Sequence, residues 1–249
     1  MGMIIGSQGA RNISVHHNLF AHNHERNPLI QTSGLVDVVN NVVYDAGGTP
    51  ILFSDEYGKV TANLVGNIQK DGPDSETGKY MISVQSVGGY GIGLFVQGSI
   101  APRRPDQKRN QLVVIKTDSR RWVVPDRFIA PPITTASAFS AYEQVLAEVG
   151  ATIGLDPSGG IFPRLDEVDQ RIIADVKNVT GGIINDPSEV GGWPALAPGT
   201  VASDSDQDGM PDEWEQLYRF DPADPTDGPE DRDADGYTNA EEYLNTTRP

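Results

Sequence analysis

The stretch that most constrains this chain runs from Arg11 to Gly47, RNISVHHNLFAHNHERNPLIQTSGLVDVVNNVVYDAG. Two runs within it, Ile13-Ser14-Val15 and Leu35 to Tyr44, carry β-branched residues in near alternation, the period of a strand whose successive side chains face opposite ways. Each reaches an asparagine, Asn18 in VHHN and Asn41 in VNN. Further on, GKVTANLVGN reaches Asn67 and GIGLFVQG arrives at a similar turn at Gly98, in steps of 23, 26 and 31 residues. Hairpin sheets turn every ~8–12 residues, whereas a period in the twenties marks a solenoid, here an all-β parallel β-helix. Asparagine suits its corners because it tolerates left-handed backbone angles and can stack its amide on those above and below. The competing reading, a β-sandwich with asparagine in its turns, fits the spacing less well.

Size and composition agree with a solenoid. The 249 residues are 37% hydrophobic and 7% aromatic, thin for a globule but ordinary for rungs that alternate in and out. There is no cysteine, hence no disulfide framework, and no run long and apolar enough to span a membrane. Met1 to Gly9 lacks the charged and apolar regions of a signal peptide. The net charge of −16 is uneven: residues from Thr200 onward hold 15 acids and 3 bases, against 20 acids and 16 bases before them. Such a tail points to cation binding, and without a domain-wide basic footprint nucleic acid is an unlikely partner.

Three regions are expected: coil rungs over 1–101; a basic connection, two helices and a wrap over 102–199; and an acidic tail over 200–249. Gly2-Met3-Ile4-Ile5-Gly6 reads as the end of a preceding rung, so the first strand should present an open edge that an earlier segment or a second copy of the chain covers. A homo-oligomer capping that end is therefore one expected assembly. From Arg103 to Arg127 the chain is proline-rich and carries a net +5, a strip whose arginine forks could hold a polyanion. Helical stripes follow over Ala136 to Val149, with Phe139, Tyr142, Val145, Leu146 and Val149, and over Leu165 to Val179, with Val168, Ile172, Ile173 and Val176. Pro187 to Gly199, with Trp193, reads as an extended wrap over the coil.

The tail contains two 12-residue loops of the EF-hand kind. In the first, Asp204, Asp206 and Asp208 hold positions 1, 3 and 5, Gly209 makes the sharp turn, Met210 offers a carbonyl, and Asp212 and Glu215 close the set. In the second the same places fall to Asp231, Asp233, Asp235, Gly236, Tyr237, Asn239 and Glu242. Oxygen-only ligands of this kind suit Ca2+, and clustered carboxylates repel one another without a cation. A helix follows each loop and no clear one precedes it, so the pair resembles dockerin and thrombospondin type 3 calcium repeats, with a role in stability or attachment.

HHNLFAHNHERNP followed by GLVDVVNNVVYDAG resembles the core of the family 1 polysaccharide lyases, the pectate lyases, and VGATIGLDPSGGIFPRLDEVDQRII with IINDPSEVGGWP resembles their C-terminal wrap. The likeness covers residues 1 to about 195 and corresponds to the C-terminal portion of such an enzyme. It implies a right-handed parallel β-helix, secretion, and cleavage of polygalacturonate by calcium-assisted β-elimination with an arginine base, which falls on Arg26 of Arg26-Asn27-Pro28. Substrate contacts are then expected from Gln31, His22, His24, Arg103 and Arg104. The sequence departs from the family at Gln31, where a second arginine is usual, and at Met1, where a lysine is usual. The family's catalytic calcium ligands lie further upstream, so ligands would have to be recruited from elsewhere, such as Asp37, Asp45 or Asp55, or from a neighbouring subunit. Two other readings stay open: a non-catalytic β-helix that binds acidic polysaccharide, and a metal-dependent enzyme using His16, His17, His22 and His24. The plainer account of the histidines is that three belong to the HHNLFAH pattern.

Overall fold

The computed structural model describes residues 1–195 and 201–245. The last residues of the wrap and the tail boundary at Thr200 lie outside the described residues. The chain forms two compact units, Met1–Val149 with Gln170–Trp193, and Gly150–Asp169 with the chain from Pro194 onward.

The first unit is a parallel β-helix. Eleven strands fall into three stacked sheets: β1 (Ile4–Ser7), β4 (Leu29–Thr32), β7 (Ile51–Ser54) and β10 (Ile82–Gln85) in the first; β2 (Ile13–His16), β5 (Gly34–Val39), β8 (Val60–Val65) and β11 (Ile92–Gln97) in the second; β3 (Leu19–Ala21), β6 (Val42–Tyr44) and β9 (Ile68–Lys70) in the third. All their pairings are parallel, and each strand pairs with the strand one turn of the coil away. Alternation sends Ile30, Phe53, Val36, Ala62 and Leu94 into a core that is closed to solvent. Sequence after Ala101 continues this core, because Val114 and Ile115 are fully buried in it, and Ile115 bridges Ile82 while Val123 bridges Leu94. The stretch read as a basic connection thus adds a partial rung.

The corner between the second and third sheets holds the expected asparagine column. Asn18 Nδ2 donates to Asn41 Oδ1 at 2.9 Å, and Asn41 Nδ2 donates to Asn67 Oδ1 at 3.0 Å. Asn41 Nδ2 also reaches the Val15 carbonyl at 2.8 Å, and Asn67 Nδ2 reaches that of Val38 at 2.8 Å. Left-handed angles belong to the residue just before each ladder member, at His17, Asn40, Gly66 and Gly98. Gly98 therefore continues the left-handed column, and Ser99, which precedes Ile100 opposite Ile68, takes the next ladder place. The sequence reading is off by one residue there. At Gly66 a side chain is impossible, since its Cβ would lie 2.4 Å from Asn40 Nδ2 and 2.9 Å from the Ala136 carbonyl.

The chain covers two of the three outer faces. On the second sheet, Asn63 binds both the N–H and the carbonyl of Phe128, and Asn40 binds those of Ala136, pinning the intervening stretch across the strands. On the third sheet, α1 (Ala138–Glu148), capped by Ser137, lays Ala138, Val145 and Leu146 against Val42, Tyr44 and Ile68, with Val176 of α2 (Glu167–Asn178) alongside. The helix runs are shorter than the sequence suggested. Phe139 is half exposed because Ala138 and Ala141 hold the inner face, and Trp193 is 83% exposed, so it does not pack on the coil. In the second unit, β12 (Ile153–Leu155) and β13 (Ile161–Pro163) form an antiparallel pair, and α3 (Asp212–Tyr218) and α4 (Asn239–Asn245) follow the two tail loops.

Asn41→Ala would take the side-chain donor from the Val15 carbonyl and the acceptor from the Asn18 N–H and Nδ2, while Asn67 Oδ1 keeps the backbone N–H of residue 41. It should cost roughly 2–4 kcal/mol in urea unfolding, while Asn18→Ala at the column's more open end should cost about 1 kcal/mol.

Candidate functional site

The remaining outer face, that of the first sheet, is only partly covered by the described residues: Ile4 and Gln85 are exposed and Gln31 half-buried, while Leu29, Leu52, Ser54 and Ser83 are buried. Its outward positions run Ile4, Leu29, Leu52 and Ser83 in one file, and Gly6, Gln31, Ser54 and Gln85 in the next. A cavity of about 390 Å³ sits on this face, lined by Leu52, Ser83 and Gln85 from the strands and by Lys79, Tyr80 and Lys116 from the loops. Arg103 backs it: its guanidinium lies 4.0 Å over the Tyr80 ring and Nε donates to the Gly78 carbonyl at 2.7 Å. Lys79 and Lys116 each have a solvent-exposed acidic partner, Glu76 at 2.8 Å and Asp118 at 3.2 Å, pairs that water largely screens. The Tyr80 phenol is drawn below its ordinary range, first by its hydrogen bond with Thr117 and then by Arg103. The sequence signal for Lys79, Tyr80 and Lys116 is weak, since they come from separate loops.

Arg26 stands at the head of this face. It adopts a left-handed angle (φ 65°) just before β4, its N–H donates to the Thr49 carbonyl at 3.0 Å, and Thr49 lines the cavity. Its side chain is about one-third exposed (34%), with Nε 3.1 Å from Glu25 Oε1. Gln31 lies on the same face, and Gly6 leaves room for it, because a Cβ at Gly6 would fall 2.9 Å from Gln31 Nε2. His24 is exposed, its ring against Gly47 and Gly48 of the next turn of the coil.

Two residues expected to touch substrate serve the fold instead. His22 follows the third sheet's β3, with Nδ1 2.9 Å from Asp45 and Nε2 3.5 Å from Asp175, so both ring nitrogens face internal carboxylates. Arg104 is 5% exposed and donates to the carbonyls of Ser99, Gln107 and Arg109. The donor-rich guanidinium gathers the carbonyls of a tight loop, with Gln111 Nε2 a second donor to Ser99 at 3.4 Å.

The carboxylates considered for recruitment do not meet. Asp37 lies on the covered second sheet, bonded to Asn63 at 2.6 Å and 3.9 Å from Arg127. Asp45 accepts from His22, the Asp74 N–H and Ser75. Asp55 accepts from Ser86 and from the N–H groups of Val87, Gly88 and Gly91. Burial would push the Asp55 carboxyl up, but these four bonds outweigh it and bring it down to about 2. Among the described residues, the groups of three acidic or histidine side chains close enough to share an ion all lie in the tail and contain no histidine. His16 Nδ1 and His17 Nδ1 are 3.0 Å apart ahead of β3, whereas both ring nitrogens of His22, beyond β3, face Asp45 and Asp175, so among the described residues no third ligand joins the histidine pair. Burial, then the neighbouring His16, lowers the pKa of His17.

In the tail, Asp204, Asp206 and Asp208 converge, as do Asp231, Asp233 and Asp235. Gly209 and Gly236 sit at φ 100° and 103°, angles that side chains resist. The N–H groups of Met210 and Tyr237 bond Asp208 and Asp235 at 2.9 Å. Position 9 behaves alike in both loops: Asp212 accepts from the Ser205 N–H at 2.7 Å and Asn239 from the Arg232 N–H at 3.2 Å, closing the loop on its own second residue. Glu215 and Glu242 are buried at position 12. Burial, then repulsion from Asp206, Asp208, Asp227 and Asp212, pushes the Glu215 carboxyl up to about 7. Burial, then Asp233, Asp235 and Asp231, raises that of Glu242.

No family model matches the chain. Similar curated proteins are the probable pectate lyase C of Aspergillus fumigatus, 28% identical over 244 residues that cover 95% of this chain and 54% of that protein, and its namesake in Neosartorya fischeri, 28% identical over 254 residues covering 100% and 56%. The Aspergillus flavus protein of the same name is 27% identical over 240 residues. The chain spans about half the length of the curated relatives it matches, and the resemblance to pectate lyases is supported across nearly all of it.

Asp55 gives this site an acid limit. Its folded pKa lies below its unfolded one, so its contribution is present above the ordinary value of 3.8 and is lost as pH falls towards about 2. Asp55→Asn should cost about 2 kcal/mol at neutral pH and flatten the loss of stability across that window, read from urea unfolding at stepped pH.

Proposed function

We propose that this chain acts on a pectate-type polyuronate by β-elimination, the open face of the first sheet being the substrate groove. The observation that carries the reading is the conjunction of a polar, cation-lined cavity on this face with relatives named probable pectate lyase C. A chain of uronate carboxylates needs spaced cations and hydrogen-bond donors along a trough, which Arg26, Gln31, Lys79, Arg103 and Lys116 offer. His24, exposed beside Arg26, is a further contact on this reading. The substrate carboxylate makes the adjacent C–H the acidic point. A base removes that proton, the electron pair moves to form the C=C bond, and the C–O bond to the next sugar breaks, its oxygen leaving as an alcohol after taking up a proton.

On this reading Arg26 takes that proton, and its backbone bond to Thr49 at the groove's head supports the assignment. Its Nε lies 3.1 Å from Glu25 Oε1, an ion pair that suits an anchoring charge more than a base. That contact favours a second reading, a groove that binds polyuronate without cleaving it. Among the described residues, the acidic side chains around the groove do not come together as a cation site. Calcium belongs to the proposal through the tail loops, in a stabilising or attaching role. Secretion belongs to the same reading, since pectate lies outside the cell, and among the described residues no helix is long and apolar enough to cross a membrane.

The test is the ultraviolet absorbance of the unsaturated product during incubation with polygalacturonate, with binding measured in parallel. Arg26→Ala should lower the rate by on the order of 10²–10⁴-fold while retaining most of the binding. A folded protein that binds but yields no product before or after the mutation supports the second reading.

A further inference from the structure

The tail offers a cation site that its loop motif does not describe. Asp208, Glu215 and Asp227 place carboxylate oxygens all within 4.8 Å of one another, and Asp208 also belongs to the triad with Asp204 and Asp206. Asp227 lies outside the first 12-residue loop, in the stretch that joins α3 to the second loop. Glu215 supplies an independent sign of a ligand. It is fully buried, its carboxylate is aimed into this cluster, and neither of its oxygens has a hydrogen-bond donor. A buried carboxylate without a donor or a counter-charge is expensive, and a hard cation supplies both needs at once. Asp206 Oδ2, Asp208 Oδ2 and Asp227 Oδ1 are likewise buried atoms without a donor. Calcium–oxygen distances of about 2.3–2.6 Å place ligands across an ion about 5 Å apart, so the spacing fits.

Local packing brings the outside residue in. Gly228 passes so close to Asp208 that a Cβ there would lie 2.4 Å from its Oδ2. Asn239 Nδ2 donates to the Asp227 carbonyl at 2.6 Å, and the Ala240 N–H donates to that of Gly228 at 3.1 Å. Asp212, which the motif offers at position 9, is occupied by Ser203 and Ser205. We propose that Asp227 is a ligand of the first calcium, completing with Asp208 and Glu215 a site built from two segments, so that this ion ties the first loop to the approach of the second. This does not rest on the lyase reading.

The experiment is calorimetric titration of the full chain with CaCl2 after chelator treatment. The unsubstituted protein should bind two ions. Asp227→Asn should weaken one of them at least tenfold and leave the other, whereas Asp224→Asn, in a neighbouring exposed turn, should change neither. Two unaltered sites in Asp227→Asn, or no binding at all by the unsubstituted chain, overturn the proposal. Hydrogen exchange of the unsubstituted protein gives a readout free of folding defects. Calcium should slow exchange in 225–230 together with 204–215, and slowing confined to the two loops contradicts the assignment.

Discussion

Everything in the coil depends on one constraint, that each turn must satisfy its hydrogen bonds with the turns on either side. Parallel pairing does this for the strands, but a corner has no ladder of its own, and a buried corner with open donors would undo the rung. The Asn18–Asn41–Asn67 column solves it with side chains: Asn41 accepts from Asn18 and donates to Asn67, which in turn donates to the Val38 carbonyl. The left-handed residue before each ladder place turns the chain, a position taken by His17, Asn40, Gly66 and Gly98, and at 66 a Cβ would also meet Asn40 and the Ala136 carbonyl.

From that column follows the placement of the groove. Asn40 and Asn63 hold the returning chain over the second sheet, and the helices cover the third, so a single face remains for a ligand. The loops that follow β9 and β10 are fixed from below rather than by their own packing, one by Asp45 and the other by Asp55. Carboxylates that looked available as metal ligands are thereby committed to shaping the walls.

How much of this was legible in the sequence depends on whether the deciding contact is local. The repeat was legible because an asparagine column needs an asparagine once per turn of the coil, and the tail loops because position and residue type are tied within 12 residues. The burial of Arg104 was not, since a charged residue in a basic strip looks exposed until three carbonyls close around it. The sequence leaves His22 either a substrate contact or a packing member of HHNLFAH, because Asp175, which decides for the second, is remote in sequence. Asp227 escaped for the same reason, lying outside any motif. The partial rung at Val114 and Ile115 hid behind prolines and arginines that break the alternation.

The central claim, that the open face of the first sheet is where an acidic saccharide binds, is tested most directly by hydrogen exchange of the full chain with and without oligogalacturonate. The account predicts protection in 49–54, 79–85 and 116–117, with the second sheet's strands unchanged. Protection confined to the acidic tail, or to the covered face around Asp37 and Asn63, would contradict it.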